Sequence, residues 1–140
     1  MSDNSFADDD LIKRILNDSK KIAMVGLSEK PDRPSYHVAA YLKSAGYKII
    51  PVNPSASEIL SEKAYPDLSS IPEKIDVVDI FRRSDQVGPI VEEAIKIGAR
   101  AIWMQEGVIN NDAARKAANQ GLDVVMDRCM LKEHSRLKHR

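Results

Sequence analysis

The stretch Gly26-Leu27-Ser28-Glu29-Lys30-Pro31-Asp32-Arg33-Pro34-Ser35 gathers a glycine, two hydroxyls and two unhindered cations after an apolar run. Glycine lets a ligand approach the backbone closely. Proline suits the first turn of a helix, so a helix begins near Pro34 or Ser35. Free N–H groups at a helix start hold phosphate, and Lys30 and Arg33 add charge. The chemistry is anion capture. Arg82 and Arg83 follow a second apolar run, residues 75–81. An arginine there is suited to bidentate bonds to phosphate, while Phe81 lines the apolar part of a ligand. Arg82 is the stronger of the two candidates. Gln105, in Trp103-Met104-Gln105-Glu106-Gly107, points toward the same crevice if these runs are neighbouring strands, and Trp103 reads as core.

Which anion is narrowed by two departures from a familiar pattern. Of the fingerprint G-x-G-x-x-G only the first glycine is present, at Gly26. Asn53, before Pro54, stands where an NAD site usually offers an acid to the ribose. A neutral Asn does not repel a phosphate on that ribose. NAD is disfavoured and a ribose-phosphate nucleotide fits better, although Asn53-Pro54 is equally good turn chemistry.

Catalytic groups are sparse. His37, His134 and His139 are the three histidines, and no Cys/His spacing suits zinc. No G-x-S-x-G elbow appears. His37 falls in the first helical turn after the loop and reads as a half-buried packing group rather than a catalyst. Three function classes are open: a binding module for regulation or carriage, a nucleotide-dependent enzyme (oxidoreductase or ligase-like) using the same crevice, and an interaction protein with a vestigial crevice.

The elements that must position these residues follow from periodicity. Apolar runs at 22–26, 47–52, 75–81, 101–104 and 122–126 lack polar alternation, as in parallel strands buried on both faces. A minor strand is possible at Ala64-Tyr65. Val38, Ala39, Leu42 and Ala45 are spaced as a helix stopped by Gly46. Val87, Ile90, Val91 and Ala94 mark a second, capped by Ser84 or Asp85. Ala114, Ala117 and Ala118 mark a third, capped by Asn110 or Asn111. Asp8, Asp9 and Asp10 precede a short amphipathic helix through Leu16. The expected fold is α/β, a doubly wound Rossmann-like three-layer sandwich of about five parallel strands. Such sheets bind ligands beyond the carboxyl ends of their strands, at the switch point.

With 140 residues, the chain is expected to form a single domain, with a loose tail over 1–7 and an exposed basic tail over 132–140. Lys+Arg and Asp+Glu balance at 21 each, so net charge gives no argument for a nucleic-acid partner and none is expected. No apolar run approaches the roughly 18–20 residues that span a bilayer, so no membrane is expected. The lone Cys129 and the acidic N-terminus suit a cytoplasmic protein.

A set of motifs then occurs in order: Val25-Gly26-Leu27-Ser28, Arg33-Pro34-Ser35-Tyr36, Gly46-Tyr47 with Pro51-Val52-Asn53-Pro54, Asp79-Ile80-Phe81-Arg82, Trp103-Met104-Gln105-Glu106-Gly107 and Met126-Asp127-Arg128-Cys129. Over residues 12–137 the chain resembles the small stand-alone CoA-binding domain family, itself similar to the nucleotide-binding domain of the succinyl-CoA synthetase α-subunit. The resemblance implies coenzyme A or an acyl-CoA as the small-molecule partner, in a non-catalytic carrier or regulatory module. It implies a crevice of Gly26, Leu27, Ser28, Lys30, Arg33, Ser35, Asn53, Pro54, Phe81, Arg82 and Gln105. The protein partner is unknown. Cys129 reads as a buried thiol, with a place beside the CoA sulfur as its second reading.

Overall fold

Ile22, Ala23, Met24 and Val25 follow one another without a polar residue, and all four are buried. A segment that buries both faces needs cover on both sides of its sheet. The computed structural model describes residues 8–138; the expected tail over 1–7 lies outside them. The chain runs through α1 (Asp9–Asp18), β1 (Lys21–Val25), α2 (Pro34–Ser44), β2 (Lys48–Val52), β3 (Glu58–Ile59), β4 (Glu62–Lys63), β5 (Val77–Ile80), α3 (Val87–Lys96), β6 (Ala101–Met104), α4 (Asn111–Asn119), β7 (Asp123–Val125) and α5 (Met130–Leu137).

Five strands form one parallel sheet in the order β2-β1-β5-β6-β7. The order reverses between β1 and β5, which makes their carboxyl ends the switch point. β2 is an edge strand and tolerates Pro51, whose missing N–H faces outward. On that outer side the Pro51 carbonyl accepts from Tyr65 N–H at 3.0 Å. Tyr65 pairs with Val52 as a single parallel bridge, where the sequence suggested a minor strand.

Alternate strand residues feed two cores. Ala23, Val25, Val78, Ile80, Ile102 and Met104 pack under α3 and α4. Ile22, Met24, Val77, Trp103 and Val125 pack under α1, α2 and α5. The result is the expected Rossmann-like three-layer α/β sandwich. Local chemistry starts the helices. Asp8 Oδ1 accepts from Leu11 N–H at 2.8 Å, and Asn110 Oδ1 accepts from Ala113 N–H at 3.0 Å. Small residues Ala113, Ala114 and Ala117 let α4 approach the sheet closely.

Three expectations are corrected. Residues 132–140, read as an exposed basic tail, mostly form α5. Its Leu137 is buried, and Tyr41 Oη bonds His134 Nδ1 at 2.9 Å. The basic residues lie on the outer face, where Arg136 meets Asp9, so composition concealed an amphipathic helix. Neither Ser84 nor Asp85 caps α3; a 3₁₀ turn over Ser84–Gln86 intervenes, and Ser84 Oγ accepts from Ile109 N–H instead. The stretch after Asn53 holds the β3–β4 hairpin, whose turn places Leu60 and Ser61 at φ 55° and 63°. No helix among the described residues is long and apolar enough to cross a membrane.

Asp79 breaks the apolar character of β5. It is fully buried between Met24 and Trp103 on the neighbouring strands. Neither carboxyl oxygen has a hydrogen-bond partner. Burial holds its pKa well above the usual 3.8, with the Ile80 backbone a smaller opposing influence that lacks hydrogen-bond geometry. Burial therefore favours the neutral form of this acid in the folded protein. Its contribution to stability is fully present below pH 3.8 and is lost as pH rises toward the folded-state pKa. Denaturant titrations should show Asp79→Asn gaining on the wild type as pH rises from 4 to 8. Parallel pH profiles for the two proteins would contradict a buried neutral carboxyl.

Candidate functional site

Gly26 ends β1 with φ +87°. Its N–H donates to Val52 O at 3.0 Å, and Phe81 N–H donates to Val25 O at 2.8 Å, so three strand ends meet at this residue. A Cβ on Gly26 would lie 2.3 Å from the Phe81 carbonyl oxygen. Only glycine fits both the conformation and the gap.

Beyond Gly26 the loop turns on two hydroxyls. Ser35 Oγ, in the first turn of α2, accepts from Ser28 N–H at 3.0 Å, and Ser28 Oγ accepts from Lys30 N–H at 3.1 Å. Each hydroxyl keeps its own proton to donate. No side chain caps α2, whose N-cap is Arg33 and whose first residue is Pro34. A helix start of this kind favours an anion.

These residues line an open cleft of about 590 Å³. It brings together Gly26, Ser28, Lys30, Arg33 and Ser35 from the β1–α2 loop, Phe81 and Arg82 from the end of β5, and Gln105 from the end of β6. Lys30, Arg33 and Arg82 are exposed and make no ion pair among the described residues. Arg83, weighed as the weaker arginine, also lines the cleft but is paired with Asp85 at 3.4 Å.

The far wall is cross-linked. Gln105 Oε1 accepts from Met130 N–H at 3.2 Å. Asp127, at φ 58°, accepts from Gly107 N–H at 2.7 Å. Asn110 Nδ2 donates to Ser84 O at 2.9 Å. Glu106 and Val108 belong to this wall and to the cleft lining. Sequence reading passed over both, although they follow Gln105 in the same strand-end loop. Glu106 is held by Lys132 at 3.0 Å through both oxygens.

Three residues of the expected crevice lie outside the cleft lining. Leu27 is fully buried and turns its side chain into the core beneath α2. Its carbonyl accepts from Asn53 Nδ2 at 3.0 Å, while Asn53 Oδ1 accepts from Ser55 N–H at 2.7 Å. Asn53 thus ties the β2 end to the β1 loop, and Pro54 lies exposed in the turn beyond. His37 is exposed rather than half-buried. Cys129 is buried with the α1–α2–α5 core, away from the cleft lining. His139 lies outside the described residues.

A family model described as a CoA binding domain matches residues 20–135. The chain belongs to the CoA-binding domain family. It is 44% identical over 124 residues to the uncharacterised protein YneT of Bacillus subtilis, covering 89% of this chain and 92% of that one. It superposes with a TM-score of 0.90 on the structure of a hypothetical protein from Pyrococcus horikoshii, at 45% identity over 94% of this chain and 92% of the other. An ADP-forming acetate–CoA ligase of Archaeoglobus fulgidus is 32% identical over 83 residues, 58% of this chain but 12% of the ligase.

A larger groove of about 740 Å³ lies between α3 and α4. It sits away from the strand ends, and most of its charges are engaged: Lys116 pairs with Glu92, Asp112 with Arg115, and Glu93 accepts from Ser69, which leaves Lys96 as its one lining cation without an ion pair among the described residues. The strand-end cleft, with its unpaired cations, is the better anion site.

The packing at Gly26 gives a direct test. Gly26→Ala should cost about 2–4 kcal/mol in urea denaturation, combining left-handed strain with a backbone clash. Gly107→Ala has a similar φ of +83° and open space around it. It should cost about 1–2 kcal/mol, the conformational part alone. Equal costs would mean that the Phe81 contact is unimportant.

Proposed function

We propose that the strand-end cleft binds coenzyme A, free or acylated, and that the chain is a binding module rather than a catalyst. The observation that carries this reading is the convergence of Lys30, Arg33 and Arg82, all unpaired, beside the uncapped start of α2. Coenzyme A carries a diphosphate and a ribose phosphate, more negative charge than NAD. Ser28 and Ser35 hydroxyls and the α2 N-terminus receive the diphosphate; the cations neutralise it. Membership of the family supports the ligand.

The binding-module reading is supported by what lines the cleft. Its one carboxylate among the lining residues, Glu106, is engaged by Lys132. General acid–base chemistry needs a proton-transfer group free to reach its substrate. The cleft's remaining polar groups bind and orient.

Parallel calorimetric titrations with CoA, NADP and NAD should rank CoA as the tightest ligand. Losing one charge-assisted contact costs about 1.5–3 kcal/mol. Arg33→Ala and Arg82→Ala should therefore each raise the CoA dissociation constant about tenfold or more. Lys74→Ala, an exposed residue before β5 at the opposite end of the sheet, is the control. Tighter binding of NAD than CoA, or equal losses at all three positions, would sink the reading.

A further inference from the structure

Gln105 is a buried polar side chain on the floor of the cleft, 6% exposed. It continues β6, one strand beyond β5 and two beyond β1. At the usual strand spacing it lies about 10 Å along the sheet from Gly26. Its amide has one orientation. Met130 N–H, at the start of α5, can only donate, so the atom facing it at 3.2 Å must be Oε1. Cys129, the N-cap of α5, supplies no side-chain bond of its own. Gln105 therefore caps that helix from another strand, and the cap locks the side chain.

The lock leaves Nε2 on the opposite side. Nε2 makes no hydrogen bond among the described residues. It is also absent from the sealed, unpartnered polar atoms, which include both oxygens of Asp79. It is a donor turned to the open cleft. The same lining holds the apolar side chains of Phe81 and Val108, and its unpaired cations come from the β1–α2 loop and Arg82. A neutral donor in such a lining matches a neutral carbonyl better than a phosphate, which the cations already serve.

We infer that Gln105 is a fixed donor that reads an amide carbonyl of the pantetheine arm, so that the cleft distinguishes coenzyme A from its bare nucleotide head. This rests on coenzyme A as the ligand. In the bound state the arm runs from the phosphates at Gly26 and α2 across Phe81 toward β6. A nucleotide lacking the arm leaves Nε2 to water and gains nothing from it. Gln105 acts as a specificity residue, positioned by Met130.

Two variants separate this role from a structural one. Gln105→Met removes the acceptor and the donor at similar volume and adds no charge. Gln105→Glu keeps an acceptor for Met130 N–H but puts a carboxylate into a phosphate-binding cleft. Thermal melting should fall in both variants. Titrations with CoA and with adenosine 3′-phosphate 5′-diphosphate should show Gln105→Met losing about five- to tenfold in CoA affinity while holding the affinity for the head group within about twofold. Gln105→Glu should lose affinity for both ligands, and more for CoA. Unchanged CoA affinity in Gln105→Met, or its equal loss for the two ligands, would overturn the inference while leaving the cleft as the CoA site. Failure of the wild type to bind either ligand would overturn the cleft reading and the inference with it.

Discussion

The contact between Gly26 and the Phe81 carbonyl is the constraint on which the site depends. Parallel strands that diverge at a switch point leave a gap between their loops, and its width is set by how closely the two chains leave the sheet. Here β1 and β5 leave in contact, because Gly26 has no side chain and takes φ +87°. That turn sends the following loop over the sheet end, toward the start of α2. It also places Arg82 beside Ser28 and Arg33 along one cleft. A side chain at position 26 would push the two loops apart and separate the cations that now share one cleft.

The two walls are built differently, and the difference bears on affinity. The β6 side is held by four hydrogen bonds: Met130 to Gln105, Gly107 to Asp127, and Ile109 and Asn110 to Ser84. The β1–α2 side is held by the Ser28–Ser35 pair and by Asn53, with its long cationic side chains in solvent. Under the proposed reading, a ligand would meet donors already in place and would order the side chains of Lys30, Arg33 and Arg82. Each such side chain costs about 0.5–1.5 kcal/mol to immobilise. Charge-assisted bonds to phosphate exceed that cost.

The layered fold was legible because β1 and β6 are apolar runs, β5 is one but for Asp79, and the helices carry one apolar stripe. The strand-end rule led to most of the cleft. What stayed hidden had physical reasons. The β3–β4 hairpin has two-residue strands and a turn with Leu60 and Ser61 at positive φ, without the glycine or asparagine that announces such turns. In α5 the basic residues outnumber the buried ones, so charge masked the pattern of Met130 and Leu137. Asn53 and Leu27 stand at strand ends, where ligand contacts are expected, yet they bond to each other and hold the loop. Position alone does not distinguish a residue that touches a ligand from one that supports its neighbour. Asp79 was quoted only as part of a motif, and nothing in the sequence marked it as a neutral acid, because its state comes from burial.

The central claim is that coenzyme A binds at the ends of β1, β5 and β6. Backbone amide NMR during a titration with coenzyme A tests it most directly. The account predicts saturating shifts at Gly26, Ser28, Arg33, Ser35, Phe81, Arg82 and Gln105, with little change across α3 and α4. Shifts centred on Gly88, Glu92, Asp112 and Lys116, or no saturable shift at all, would contradict it.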